Sequence, residues 1–345
     1  MKIDAWWFEN KQTENEILQP ELGFPKTQLG IYAELDELSY PFKIFASAKK
    51  GNDKIYGREF EIVKGETSEA FEITCGDCGF LFKSVAEEIK RLPDEIAVKI
   101  IMGGKEYSET VKCEYAHLHG KITDFDGKPY PAVVAFRRIA FGTDYAEMAV
   151  WSNKEGEYSV TVPKGRYNNF FVCDHGYGQT VLENWSWNML VDRDEEHNFK
   201  IGNGEVYSLS PWCNNGGGRT MFFWFRPMIL PSIKNKKYEV EINGEKRNVN
   251  DISPELEISD IKVTLNGKTL KVISLQTIYE TGNDYAMPAY IVQTERPCKA
   301  SDIVGKQTVI VEYNNSDRKD KTGYLAQSQG RTQFYFNDFF ALALK

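Results

Sequence analysis

The chain has 345 residues, with 42 Lys and Arg against 50 Asp and Glu, for a formal net charge of −8. Hydrophobic residues at 41% and charged residues at 27% are ordinary globular usage, which excludes a disordered or fibrous protein. The acidic balance excludes a general nucleic-acid surface, because phosphate binding draws on clustered Lys and Arg.

At about 150 residues per domain, this length accommodates two to three domains. The first residues, Met1 to Asn10, contain no apolar stretch of signal-peptide kind, so a cytoplasmic location is expected. The strongest apolar run, Met221 to Phe225, is far shorter than the roughly 20 residues needed to cross a bilayer, and no membrane partner is expected. The six cysteines are too sparse for a disulfide framework. Cys75 and Cys78 are the one close pair. With no second pair for zinc and no βαβ setting for redox work, they read as two thiols beside a tight turn.

β-rich runs bounded by Gly, Asn, Asp and Pro recur about every ten residues, the spacing of sandwiches and barrels. In the first group, Phe42, Ile44, Ala46 and Ala48 alternate with Lys43, Phe45, Ser47 and Lys49, the period of a half-buried strand. One short helix is predicted here: Ser84 and Glu87 form a capping box, Ile89 and Leu92 follow, and Pro93 stops it. Residues 1–113 thus read as an immunoglobulin-like β-sandwich. Residues 114–231 form a second group, and the stretch from Pro227 and Pro231 to Lys237 marks a boundary. Residues 232–345 form a third sandwich, in which Asn243-Gly244 and Asn266-Gly267 signal hairpins. The predicted fold is all-β: three β-sandwich domains in series with one short helix.

From His119 the chain reads Gly120, Asp124, Asp126-Gly127, Pro129 and Ala132 to Phe136. It continues through Gly156, the alternating Tyr158, Val160 and Val162, then Pro163, Gly165 and Gly176-Tyr177. Asp126-Gly127 and Pro163-Lys164-Gly165 are turn signals, and Gly156 opens a hairpin. This order resembles the carboxypeptidase regulatory-like domain over about residues 116–180. The resemblance implies a transthyretin-like β-sandwich of about seven strands, used as an accessory module without catalytic residues. Such modules end soon after the Gly-Tyr pair; here the chain runs on for about 50 residues rich in Trp, and the site is expected there.

Four of the seven tryptophans, Trp185, Trp187, Trp212 and Trp224, fall in that extension. Flat aromatic faces stack on the C–H faces of sugars while rim polar groups bond the hydroxyls, so with Tyr177 and Arg219 they form a candidate carbohydrate-binding set. Trp185 and Trp187 would share one face of a strand as a two-ring platform. The bland alternative is core filling, since Trp is highly buried on average.

Asp174, His175 and Glu183 are candidate catalytic acids and bases, although glycosidase chemistry needs carboxyls held at a particular separation. His117 and His119 share a strand face at a spacing two metal ligands can use, with Asp174 or His175 as a third. Asn214 to Gly218 lacks the order of a phosphate loop, and no cofactor is expected. Tyr279, Glu280, Asp284 and Tyr285 surround a Gly282-Asn283 turn able to meet a saccharide or a protein. The expected function is a carbohydrate-binding or scaffolding protein with a carbohydrate or glycoside ligand. The alternatives are a carbohydrate-active enzyme, and a structural protein that self-associates through sheet edges.

Overall fold

The computed structural model describes residues 2–8, 27–66, 68–141, 144–213, 219–282, 285–297 and 305–335. Eight strands come first: β1 (Lys2–Phe8), β2 (Gln28–Glu34), β3 (Phe42–Lys50), β4 (Asp53–Ile62), β5 (Phe71–Gly76), β6 (Gly79–Val85), β7 (Glu95–Met102) and β8 (Lys105–Lys112). They form two four-stranded sheets, ordered β1-β2-β6-β5 and β4-β3-β7-β8. The alternation of β3 is realised: Phe42, Ile44, Ala46 and Ala48 are buried and meet Trp7, Leu29, Ile31, Phe80 and Phe82 in one core. Phe45, the apolar exception, lies outside that core and carries Lys99 over its ring at 4.8 Å.

The helix expected from Ser84 to Leu92 is not formed. Ser84 is held in β6, opposite Leu29 of β2 and Phe71 of β5, and a turn follows in which Ala86 and Ile89 plug the core. The i, i+3 apolar spacing belongs to that plug, and the ladder on both sides of β6 overrides local helix propensity. The α-helix among the described residues is α1 (Lys319–Thr322).

Ten strands follow: β9 (Tyr115–Thr123), β10 (Val133–Phe141), β11 (Asp144–Trp151), β12 (Glu157–Pro163), β13 (Gly165–Cys173), β14 (Asn184–Val191), β15 (Glu195–Glu196), β16 (Phe199–Lys200), β17 (Gly204–Cys213) and β18 (Thr220–Ile229). The rest are β19 (Lys236–Ile242), β20 (Glu245–Asp251), β21 (Ile261–Leu265), β22 (Lys268–Leu270), β23 (Val272–Thr281), β24 (Tyr285–Glu295), β25 (Lys306–Asn314) and β26 (Gln327–Tyr335). Asn243 and Asn266 take positive φ in the tight β19–β20 and β21–β22 turns, as their Asn-Gly pairs require.

One eight-stranded sheet, β11-β10-β13-β14-β26-β25-β21-β22, serves two sandwiches. In its first half Val134, Phe136, Phe170 and Val172 face Leu118, Val160 and Val162 of β9 and β12. In its second half the opposite face is covered: Val263, Leu265, Val309 and Val311 meet Val206, Phe223, Phe225 and Val292. The halves join where β14 pairs with β26 in parallel, Trp185 opposite Gly330 and Trp187 opposite Thr332. A Cβ on Gly330 would lie 2.5 Å from Val206, so glycine lets β17 cross this junction closely.

The expected boundary at residue 231 therefore cuts across a sheet. β17 and β18, placed with the central domain on sequence, pair with β24 in the order β17-β18-β24-β20-β19, with β23 on the other side of β24. At the N-terminal end, β1 is shared in another way. Ala5 and Trp7 enter the first core while Trp6 and Phe8 enter the central one.

A buried ionic clasp reinforces the β14–β26 junction. Lys306, at the start of β25, bonds Asp192 at 2.7 Å and also Glu195. Glu195 meets His197 Nε2 at 3.1 Å, and His197 Nδ1 lies 2.9 Å from the Arg331 guanidinium. Arg331 has only donors, so Nδ1 accepts and the imidazole carries its proton on Nε2. Burial alone would raise the Glu195 pKa, but hydrogen bonds from His197 and Lys306 outweigh it and hold it at about 2. Burial pushes His197 down, against the pull of Glu195, so the ring stays neutral.

Candidate functional site

Trp185 and Trp187 share one face of β14, and their rings stack with centroids 4.9 Å apart and planes within 15°. The face looks inward. Trp185 is only 8% exposed, and Trp187 packs against the third core. Tyr207 of β17 closes over both rings edge-on at 5.6 and 5.0 Å. Phe171 of β13 lies against Trp185 at 5.3 Å and carries Arg137 over its ring at 4.2 Å. Arg226 of β18 sits over Tyr207 at 5.2 Å. This cluster fills the corner where the shared sheet meets β17. The expected open platform is a largely covered packing of rings, with Trp185 buried and Trp187, Phe171 and Tyr207 half-buried, because the strand that covers it is brought in by pairing far along the chain.

Two carboxyl groups meet at this corner. Glu205, on β17, is 4% exposed, and its main chain is fixed by a 3.0 Å hydrogen bond from its N–H to the Tyr313 hydroxyl. Glu183, just before β14, is half-buried. Burial first, then the neighbouring charge of Glu183, pushes Glu205 up to about 8. The Arg226 charge pulls the other way. Burial likewise raises Glu183, which the Tyr177 hydroxyl, Arg137 and Glu205 partly offset. The pair is two neighbouring acids whose burial and mutual repulsion both favour the protonated form of Glu205.

Of the three expected acid–base residues, Glu183 joins this cluster and the other two have different engagements. Asp174 accepts hydrogen bonds from the Tyr130 hydroxyl at 2.6 Å and from the Gly176 N–H at 2.7 Å, holding the turn after β13. His175 is exposed, with its ring 5.2 Å from Trp151. Tyr177 is exposed, and burial of its hydroxyl end together with Glu183 and Glu205 pushes it up to about 12. Sequence reasoning missed Glu205, Tyr207, Arg137 and Arg226; an acid in an apolar strand was the only cue to Glu205.

Trp212 and Trp224 lie elsewhere, on the outer face of the β17–β18 pair. β17 carries a bulge between Tyr207 and Ser210, with Ser208 at φ 56°. Beyond it Trp212 stands opposite Phe222 and Ser210 opposite Trp224. Trp212 is 39% exposed and stacks on Phe222 with centroids 5.3 Å apart and planes within 13°. Trp224 is half-buried, Gln293 and Ile291 of β24 pair with Phe222 and Trp224, and Arg219 is exposed where β18 begins. Asn214 to Gly218, the glycine-rich turn, lies outside the described residues.

His117 and His119 are exposed on β9 with rings stacked at 5.7 Å, and His117 Nε2 lies 3.2 Å from the Ser159 hydroxyl. Among the described residues no third His, Cys, Asp or Glu completes a metal-binding group with them. Cys75 ends near the β5–β6 turn that contains Cys78, and both are free thiols. Tyr279 and Tyr285 are exposed, Glu280 is ion-paired with Arg226, and Asp284 lies outside the described residues.

Fold and site together describe an all-β protein of stacked sheets carrying one largely covered and one open aromatic cluster. No family profile matches the chain. A stretch of 124 residues, 35% of this chain, is 27% identical to a UDP-N-acetylenolpyruvoylglucosamine reductase of Aliivibrio fischeri, and spans about a third (34%) of that protein's length. Among solved structures, a group B streptococcus pilus 2b backbone protein is 8% identical, covering 50% of this chain and 91% of its own at a TM-score of 0.20. A streptococcal ancillary pilin is 10% identical, covering 86% and 88% at 0.20. The Bacillus anthracis TIE protein is 10% identical, covering 97% and 73% at 0.20. At that TM-score none of these overlaps defines a shared fold.

Proposed function

We propose that this protein is a rigid β-scaffold that binds carbohydrate on the outer face of β17 and β18. The observation that carries this reading is Trp212, exposed and stacked on Phe222, with Trp224 two residues further along the same strand face. Strand pairing fixes the spacing of these rings, so little side-chain entropy is lost when a flat ligand settles on them. Gln293 pairs with Phe222 and Arg219 is exposed where β18 begins, so both can supply donors for sugar hydroxyls. Trp185 and Trp187 take a different part in this reading. They brace the sheet corner and do not touch the ligand.

Isothermal titration against a panel of soluble oligosaccharides tests the assignment. The wild type is expected to give heat with at least one glycan, and Trp212→Ala to weaken that binding at least about tenfold, the effect of losing one stacked ring of about 1.4 kcal/mol or more. No heat with any glycan, or binding indifferent to Trp212→Ala, refutes it.

A further inference from the structure

β23 is a ten-residue strand hydrogen-bonded along one side only, to β24; no described strand pairs with its other side. An open edge presents unpaired N–H and C=O groups to any strand that approaches, and folded proteins usually blunt such edges with charge, proline, bulges or brevity. Four other edges here are blunted. β19 carries Lys236, Lys237, Glu239 and Glu241 within seven residues, and β8 carries Lys105, Glu106, Glu109 and Lys112 within eight. β17, as long as β23, contains Pro211 and the bulge before Ser210. β22 is three residues long.

β23 has none of these protections along Val272 to Tyr279, which contains no charge and no proline. Its one bulge lies at its very start, between Val272 and Ser274, and its one acid, Glu280, is neutralised by Arg226. Exposed apolar side chains collect here as well. Of the eight large exposed hydrophobics among the described residues, Ile273 and Tyr279 are on β23, Tyr285 begins its partner strand, and Ile258 is in the turn packed beside it. Ile273 is 41% and Tyr279 38% exposed.

We propose that β23 is the interface through which two copies of this chain pair, antiparallel, into one continuous sheet. A second copy is the fitting occupant because the edge is complementary to itself. With the two-fold axis at Gln276, beyond the bulge at Ile273, that residue faces its own counterpart and Leu275 faces Thr277. The contact covers uncharged strand on both copies, and no like charges are opposed between Val272 and Tyr279. Such a contact is isologous and closes at two copies. It leaves the Trp212 face open, so it is tested apart from glycan binding.

Sedimentation velocity on the full chain, without any glycan, over about a hundredfold range of concentration reads the pairing directly. The wild type is expected to pass from one chain to two. Gln276→Lys sets two ammonium groups face to face and should raise the dimer Kd at least about tenfold. Gln276→Glu should do the same, and an equal mixture of the two variants should restore the dimer, an outcome peculiar to this register. Ile273→Lys is the second disruptive variant, and circular dichroism checks that each variant folds. A wild type that stays monomeric throughout, variants that dimerise like it, or a mixture that remains monomeric overturns the proposal.

Discussion

Glu205→Gln keeps the shape of the carboxyl but carries no charge to lose or gain. In the wild type the group rises from 4.5 in the unfolded chain to about 8 in the folded one. A group raised on folding contributes stability that is fully present below its unfolded value and is lost as pH climbs through the folded one. The window is therefore from 4.5 up to about 8. The full rise is worth about 5 kcal/mol, and since Glu183 and Glu205 titrate together, about half of it belongs to Glu205. Thermal melts of wild type and variant at about pH 5 and about pH 8.5 compare the two ends of the window. The variant should gain on the wild type by roughly 5–10 °C at the upper pH, from about 2–4 °C per kcal/mol, and by little at the lower. The titrating groups other than Glu183, which is coupled to Glu205, are common to both proteins and cancel in the difference. Parallel melting curves across the whole range would refute the raised pKa of Glu205.

The ionic clasp behaves with the opposite sign. Glu195 is held at about 2, so its contribution is present above 4.5 and is lost as pH falls through about 2. Glu195→Gln should cost about 3 kcal/mol in urea unfolding at neutral pH, because Lys306 loses a buried partner; a loss under about 0.5 kcal/mol would show the clasp to be unimportant. Gly30→Ala should destabilise by about 3 kcal/mol or block folding, since the added Cβ would lie 2.2 Å from the Trp6 indole; a melting temperature equal to wild type would contradict that contact. Trp212→Ala should leave the melting temperature within about 2 °C of wild type while removing glycan heat, because the ring packs on one face only.

The strands were readable because their chemistry is local. Phe42, Ile44, Ala46 and Ala48 announce a buried face within one run, and Asn243-Gly244 announces its own turn. Ser84 misled because a capping box is a local signal, and the ladders on both sides of β6 outweigh it. The arrangement of the sheets was not readable. Nothing near Trp185 points to Gly330, 145 positions later, yet that pairing joins two sandwiches and decides which way the indoles face. Glu183 was noticed among its neighbours, but its partner Glu205 sits on a strand whose approach depends on the same distant junction. The open ring, Trp212, and the closed ones, Trp185 and Trp187, look alike in sequence and differ only in what crosses above them.

The junction of β14 with β26 also bears on the order in which the chain can assemble as it is made. On the ribosome, β14 emerges long before residues 327–335, and until they arrive its flank stays bare and the half-sheet lacks its neighbour. The core between β9, β12, β10 and β13 needs no residue of β26, but the flank of β14 that carries the indoles waits for β26 to slot in beside it. A nascent chain stalled before β26 would offer that raw flank and the two indoles to chaperones, or to other chains in the same condition.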